Sequence, residues 1–240
     1  MVPKQSMPMT AAGSTVFYTL RFKIRKDGNL QYISHLDFVR TMQKALVRAK
    51  LPLWYSQGFN PIPKLTFAAP LSIGTESVCE FMDIRLTEKI EPQKAIDALN
   101  ANMTLQMQAS EAYYPESKMT ALRWLEYEMS INTLGAGEEL ADACQNALDE
   151  DSLPILKKTK SGEAVVDIKP LVKSAEVKLD GDRIFIKCVL SADSSSFLNP
   201  EYVVKVLREK CEILSSGNLM AENYSILRTN AYREDMSVFR

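Results

Sequence analysis

Apolar and polar residues alternate from Val16 to Arg25 (VFYTLRFKIR). Val16, Tyr18, Leu20, Phe22 and Ile24 fall on one side and Phe17, Thr19, Arg21, Lys23 and Arg25 on the other, which predicts a half-buried strand. Asp27-Gly28-Asn29 breaks it, and the period then becomes helical: Leu36, Val39, Met42, Leu46 and Ala49 share one face from Ser34 onward. Ser34 and Asp37 read as a capping box in its acidic variant, and Pro52 marks the stop. Leu65 to Ala69 and Val78 to Leu86 predict two strands joined through SIGTES, Pro92 to Asn102 a helix, and Leu105 to Tyr113 a strand.

The second half repeats that order. Leu122 to Asn132 reads as strand, Glu138 to Asp149 as helix, then strands ending in Arg183 to Leu190, a helix from Pro200 to Leu214 and a last strand over Tyr224 to Tyr232. Polar residues between Leu153 and Leu179 leave room for an extra hairpin around Lys160-Ser161-Gly162. Strand, helix, strand, strand, helix, strand is the split βαβ pattern, so the expected fold class is α+β with two tandem ferredoxin-like (βαββαβ) domains. The expected division is a flexible N-terminal tail over 1–14, a first domain over 15–116 and a second over 120–236, joined by a polar linker near Pro115 to Thr120.

A net charge of −1 conceals an uneven distribution: between Arg21 and Lys64 there are nine Lys and Arg against two Asp. Such a segment suits a polyanion-facing surface. Cys79, Cys144, Cys188 and Cys211 are widely separated, with no paired spacing for zinc and no cluster for an iron-sulfur centre, so reduced buried thiols and neither metal nor cofactor are expected. No apolar run reaches the length of a membrane span and Met1 to Gly13 lacks the apolar core of a signal peptide, which points to a cytoplasmic protein with no membrane partner.

Arg40, Lys44 and Arg48 recur every four residues and form a basic stripe, which suits a phosphate backbone or equally an ordinary solvated face. Lys23, Arg25 and Lys26 precede the stripe, and Trp54, Tyr55, Phe59 and Lys64 follow it, so cations and rings able to stack share one segment. The stretch YSQGFNPIPK carries Gly58, Pro61 and Pro63, a stiff loop or a structural turn, expected to face the start of the His35 helix. Tyr55, Gln57, Phe59, Asn60 and Lys64 join the stripe as candidate binding residues. His35, the sole histidine, sits where the helix dipole disfavours imidazolium; it is either a candidate acid or base or a packed residue at the core edge. Gly135-Ala136-Gly137 superficially suggests a phosphate cradle, but Glu138 and Glu139 would repel phosphate, so a capping turn is expected. Neither a P-loop, a dinucleotide fingerprint nor a hydrolase triad spacing occurs.

The run Ile33 to Leu86 closely resembles the radical-SAM-linked domain family, small bacterial proteins of unassigned activity that occur alone or attached to a cobalamin-binding radical SAM enzyme. His35, Leu36 and Asp37 at the helix start, GFNPxPK, the PLxxG turn (Pro70, Leu71, Gly74) and Glu80 with Asp83 match in order. Phe197 to Glu201 (FLNPE) and Leu227 to Tyr232 (LRTNAY) match more loosely. Family members often carry a histidine between the two loop prolines where this chain has Ile62, which removes a two-histidine metal pair or acid and base pair. The resemblance implies an accessory or substrate-presenting role beside a radical SAM enzyme, since no CxxxCxxC motif is present here. The leading expectation is a non-catalytic RNA-binding or substrate-presenting accessory protein. One alternative is an RNA-processing or RNA-modifying enzyme using His35 with Asp37, Ser56, Asn60 and Lys64. Another is a protein interaction module presenting Phe59, Pro61, Ile62 and Pro63.

Overall fold

The computed structural model describes residues 17–159, 162–193 and 195–240. The expected N-terminal tail and Val16 lie outside them, as do Lys160 and Ser161. Among the described residues two compact units emerge, one holding those up to Ile73, Ser77–Met119 and Arg240, the other Gly74–Glu76 and those within Thr120–Phe239. The protein is mixed α+β, with antiparallel strand pairing inside each unit and four α-helices among the described residues. Among those residues no helix is long and apolar enough to cross a membrane.

The first unit comprises β1 (Tyr18–Lys26), α1 (His35–Arg48), β2 (Leu65–Phe67), β3 (Thr75–Leu86), α2 (Pro92–Asn100) and β4 (Met107–Tyr113). β1 lies between β4 and β3, and β2 pairs with β3. The apolar alternation of β1 places Leu20, Phe22 and Ile24 in the core, opposite Ile84 and Met82 of β3. Phe38, Met42, Ala45 and Leu46 of α1 and Ala95 and Leu99 of α2 cover them. Each fully buried large apolar side chain contributes about 1.5–3 kcal/mol relative to leaving it exposed.

The helical face differs from the expected one. Leu36 is 56% exposed and Phe38 is buried instead. At 3.6 residues per turn, Phe38, Met42, Ala45 and Leu46 make a stripe about 100° wide, and Leu36 falls about 80° beyond its edge. The Phe38 ring also packs 4.7 Å from that of Phe67 in β2, a contact that local periodicity does not reveal.

The other side of β1 is polar, and it is closed at Arg21. Arg21 is fully buried, and its Nε and Nη2 donate to Asp83 Oδ1 and Oδ2 at 2.7 and 2.9 Å, directly across the β1–β3 register. Nη2 also donates to the Ser117 carbonyl at 3.0 Å. A bidentate pair of this kind offsets the desolvation of a buried guanidinium.

In the second unit β5 (Trp124–Asn132), β8 (Val172–Asp180), β9 (Arg183–Ser191) and β10 (Asn223–Tyr232) run in the order β10-β5-β9-β8. α3 (Glu138–Asp149) and α4 (Glu201–Cys211) accompany them. The strand order mirrors that of the first unit: last, first, third, second. β6 (Pro154–Thr159) and β7 (Gly162–Asp167) form a separate hairpin whose ladder closes on Thr159 and Gly162. Leu125, Tyr127, Met129 and Ile131 alternate into the core. Gly137 is the N-cap of α3, so the Gly135 to Gly137 turn is a helix entry. Asn199 Oδ1 accepts the Glu201 N–H at 3.1 Å, which gives FLNPE a role in starting α4. Arg228, in LRTNAY, is buried and donates from Nε and Nη2 to the Tyr127 hydroxyl at 3.3 and 3.2 Å. Cys79, Cys144 and Cys188 are buried, and burial pushes the Cys144 and Cys188 thiols up to about 12.

Two buried polar clusters make stability measurable through single residues. Asp83→Ala strands Arg21 without its carboxylate and is expected to cost about 3–5 kcal/mol in urea denaturation, whereas Arg21→Met with Asp83→Leu costs much less. Glu222 accepts hydrogen bonds from Thr133 Oγ1 at 2.7 Å, Leu134 N–H at 3.1 Å and Ser216 N–H at 2.6 Å. The Ser216 side chain first, then Thr133 and these amides, hold its carboxyl at about 2 against an ordinary 4.5. A depressed carboxyl stabilises the fold above its unfolded value, so stability is expected to fall as pH drops from 4.5 toward about 2. Glu222→Gln is expected to melt lower at neutral pH and to show a flatter profile across that window.

Candidate functional site

α1 begins at a formed cap. Ser34 is extended, its Oγ accepts the Asp37 N–H at 3.1 Å, and its hydroxyl donates to Asp37 Oδ2 at 2.7 Å. Asp37 also meets Arg40 at 3.5 Å across two side chains about 60% exposed, an ion pair of small energetic weight. The helix ends where Lys50 takes φ +54, and the Arg48 guanidinium reaches the Asn102 carbonyl at 3.1 Å.

Because Phe38, Met42, Ala45 and Leu46 face the core, Arg40, Lys44, Val47 and Arg48 point outward. Among the described residues the Lys44 side chain makes no hydrogen bond and no ion pair. Pro52 then turns the chain back along the end of β3. Leu53 pairs with Leu86, Trp54 N–H donates to the Arg85 carbonyl at 2.8 Å, Arg85 N–H to Lys64 at 3.2 Å, and Lys64 N–H to Trp54 at 3.2 Å. Between these anchors the loop closes on itself. Tyr55 pairs with Pro63, Ser56 N–H donates to the Ile62 carbonyl at 2.9 Å, and Ile62 N–H donates to Ser56 Oγ at 3.1 Å. Only Gln57 to Pro61 remain as the tip. Gly58 there has φ +139, a conformation that side-chain-bearing residues resist, although nothing lies within 4 Å of where a Cβ would stand.

Helix and loop together form a groove of about 640 Å³ lined by Arg40, Gln43, Lys44, Val47, Arg48, Ile62 and Pro63. Its lining carries three cations and no carboxylate. The loop therefore meets the middle and last turns of α1 rather than its start, and His35 is not in the lining. The His35 ring stands edge-on to Phe67 with centroids 5.6 Å apart. Asp37 belongs to the cap and Ser56 to the loop stem. Tyr55 packs against the core, Gln57, Phe59 and Asn60 are exposed at the tip, and Lys64 is exposed beyond it. Pro63 is buried in the stem, Pro61 is exposed, and Gly74 takes φ +85 in its own turn.

The remaining basic and aromatic residues of the segment are committed elsewhere. Lys23 pairs with Glu111 at 3.2 Å, Arg25 with Asp27, and Lys26 is buried with Nζ 5.7 Å from the Phe38 ring. The Arg85 guanidinium lies 4.1 Å from the Phe17 ring centroid and 5.5 Å from that of Trp54. Gln43 and Val47, absent from the expected binding set, were legible as the neighbours three residues on from Arg40 and Lys44. Ile62 was noted for the histidine it replaces, and its place in the groove depends on how the loop closes. Among the described residues no group of three or more His, Cys, Asp or Glu could hold a metal ion. A smaller cavity of about 180 Å³ in the second unit includes Glu222 and Tyr224, whose polar atoms are already bonded within the chain.

A family described as "Uncharacterized protein conserved in bacteria (DUF2344)" matches residues 19–200. No curated protein matches the chain. A chain from the structure described as "Crystal Structure of a Cbf5-Nop10-Gar1 Complex" is similar at 12% identity and a TM-score of 0.48, over 90% of this chain and 50% of that one. This chain thus spans about half the length of that relative. Another, "Crystal Structure of an Unknown Protein from Galdieria sulphuraria", is 11% identical with a TM-score of 0.25, over 89% and 99% of the two chains. Likenesses this distant bear no weight for function.

The cap that starts α1 can be tested directly. Ser34→Ala removes the acceptor for the Asp37 amide and is expected to lower stability by about 1 kcal/mol in chemical denaturation, while Ser34→Asp retains most of it.

Proposed function

The chain belongs to the DUF2344 family of uncharacterized proteins conserved in bacteria, and we propose that it is a non-catalytic RNA-binding protein whose groove along α1 holds the ligand. The observation that carries this reading is the meeting of Arg40, Lys44 and Arg48 with Ile62 and Pro63 in one groove. Cations on one helix face attract a polyanion without selecting its sequence, and neutralised phosphates release their counterions. Apolar side chains at the groove edge suit sugar and base surfaces better than free inorganic anions.

On this reading both units are ferredoxin-like domains, over 15–116 and 120–236, and the first carries the ligand. The resemblance of Ile33 to Leu86 to radical-SAM-linked domains supports a role in presenting RNA to a radical SAM enzyme. His35, set against Phe67, serves packing in this scheme and performs no proton transfer.

Fluorescence anisotropy with labelled RNA at varied salt tests the proposal. Logarithmic affinity is expected to fall with logarithmic salt with a slope of about −0.7 per phosphate neutralised on a single strand. Changing Arg40, Lys44 and Arg48 together to Gln is expected to flatten that slope by about 2 and to weaken binding at least about 10-fold at low salt. Undetectable affinity at low salt, or affinity indifferent to salt, would end the reading. A complex with the radical SAM partner that survives nuclease and breaks on Phe59→Ala would favour direct protein contact instead.

A further inference from the structure

We propose that the strand bound in the α1 groove is unpaired RNA, with one base stacked on Phe59. The inference rests on the reading of that groove as an RNA surface and names the form of RNA it takes. Phe59 is fully exposed at the loop tip, so its ring contributes nothing to the core. The tip is nonetheless held: the Ser56 and Ile62 backbones bond at 2.9 Å, the Ser56 hydroxyl accepts the Ile62 amide, and Tyr55 pairs with Pro63. A ring presented on a closed, proline-stiffened loop loses little conformational freedom when a ligand covers it.

Phe59 is three residues from Ile62, which lines the groove, so their Cα atoms are at most about 11 Å apart. Arg40, Lys44 and Arg48 span about 12 Å along the helix axis at 1.5 Å per residue, room for about three phosphates of one strand. Backbone cations beside a projecting ring match a single strand, whose bases turn out and expose a face. A duplex keeps its base faces stacked on one another, and A-form geometry hides its major-groove edges from side chains.

The neighbouring aromatics do not compete for this role. Tyr55 packs against the core, and Trp54 lies beneath Arg85 near Phe17. Of the loop's three rings Phe59 alone is free of the core, so one base is gripped there and the remainder of the contact follows the backbone.

The test uses the full chain, a fluorescein-labelled twelve-nucleotide oligouridine probe, and the same probe annealed to oligoadenosine, at matched salt. The single strand is expected to bind about 10-fold or more tightly than the duplex, since stacking on one ring is worth that much. Phe59→Ala is expected to lose about 10-fold on the single strand, leave duplex affinity and the salt slope unchanged, and be rescued by Phe59→Trp. Salt-dependent binding that ignores Phe59, or favours the duplex, overturns this inference and leaves the RNA surface standing. Failure of both probes to bind at low salt overturns the surface and the inference together.

Discussion

Three backbone hydrogen bonds at the end of β3 hold the candidate site in place. Trp54 bonds to Arg85, Arg85 to Lys64, and Lys64 back to Trp54. Every donor in this ring finds a backbone acceptor, so the two ends of the loop are tied to the same strand and to each other. Without that closure, a segment with one glycine and two prolines between its anchors would have many conformations and no fixed tip. With it, the flexible length shrinks to the few residues around Gly58, and Ile62 and Pro63 are delivered to the helix.

The helix opposite is divided between two tasks by its period. Phe38, Met42, Ala45 and Leu46 are buried against β1 and β3, which fixes the rotation of α1 about its axis. The same rotation forces Arg40, Lys44 and Arg48 outward. A core contact therefore sets the orientation of the charges, and the Phe38 to Phe67 contact links that orientation to β2, which itself continues from the loop.

Each unit also buries an arginine on its sheet, Arg21 beside Asp83 and Arg228 beside Tyr127. The first guanidinium meets a carboxylate, and the second donates to a phenol and lies 5.5 Å from its ring. Both pairs involve stretches on which the family resemblance rests, the Glu80 and Asp83 strand and the LRTNAY ending. The ion pair of Asp83 with the buried Arg21 gives that motif a structural reason for one of its residue types.

Local physics accounts for much of what could be read from the chain. The alternation of β1, the Ser34 cap, the stop before Pro52 and the order of strands and helices all depend on neighbours within a few residues, and these appeared where the pattern placed them. The helix face was harder, because Leu36 and Phe38 are both apolar and only contact with Phe67 chooses between them. The fate of the basic residues was only partly local. Lys23 meets Glu111, which is 88 residues away, Arg25 meets Asp27, and Lys26 is buried, while Arg40, Lys44 and Arg48 keep their solvent face. Sequence determined that the segment would be rich in cations and end in a stiff loop. Tertiary structure decided which cations remain available, because Lys23 and Lys26 are withdrawn only when folding brings a distant carboxylate, or the core itself, to their side.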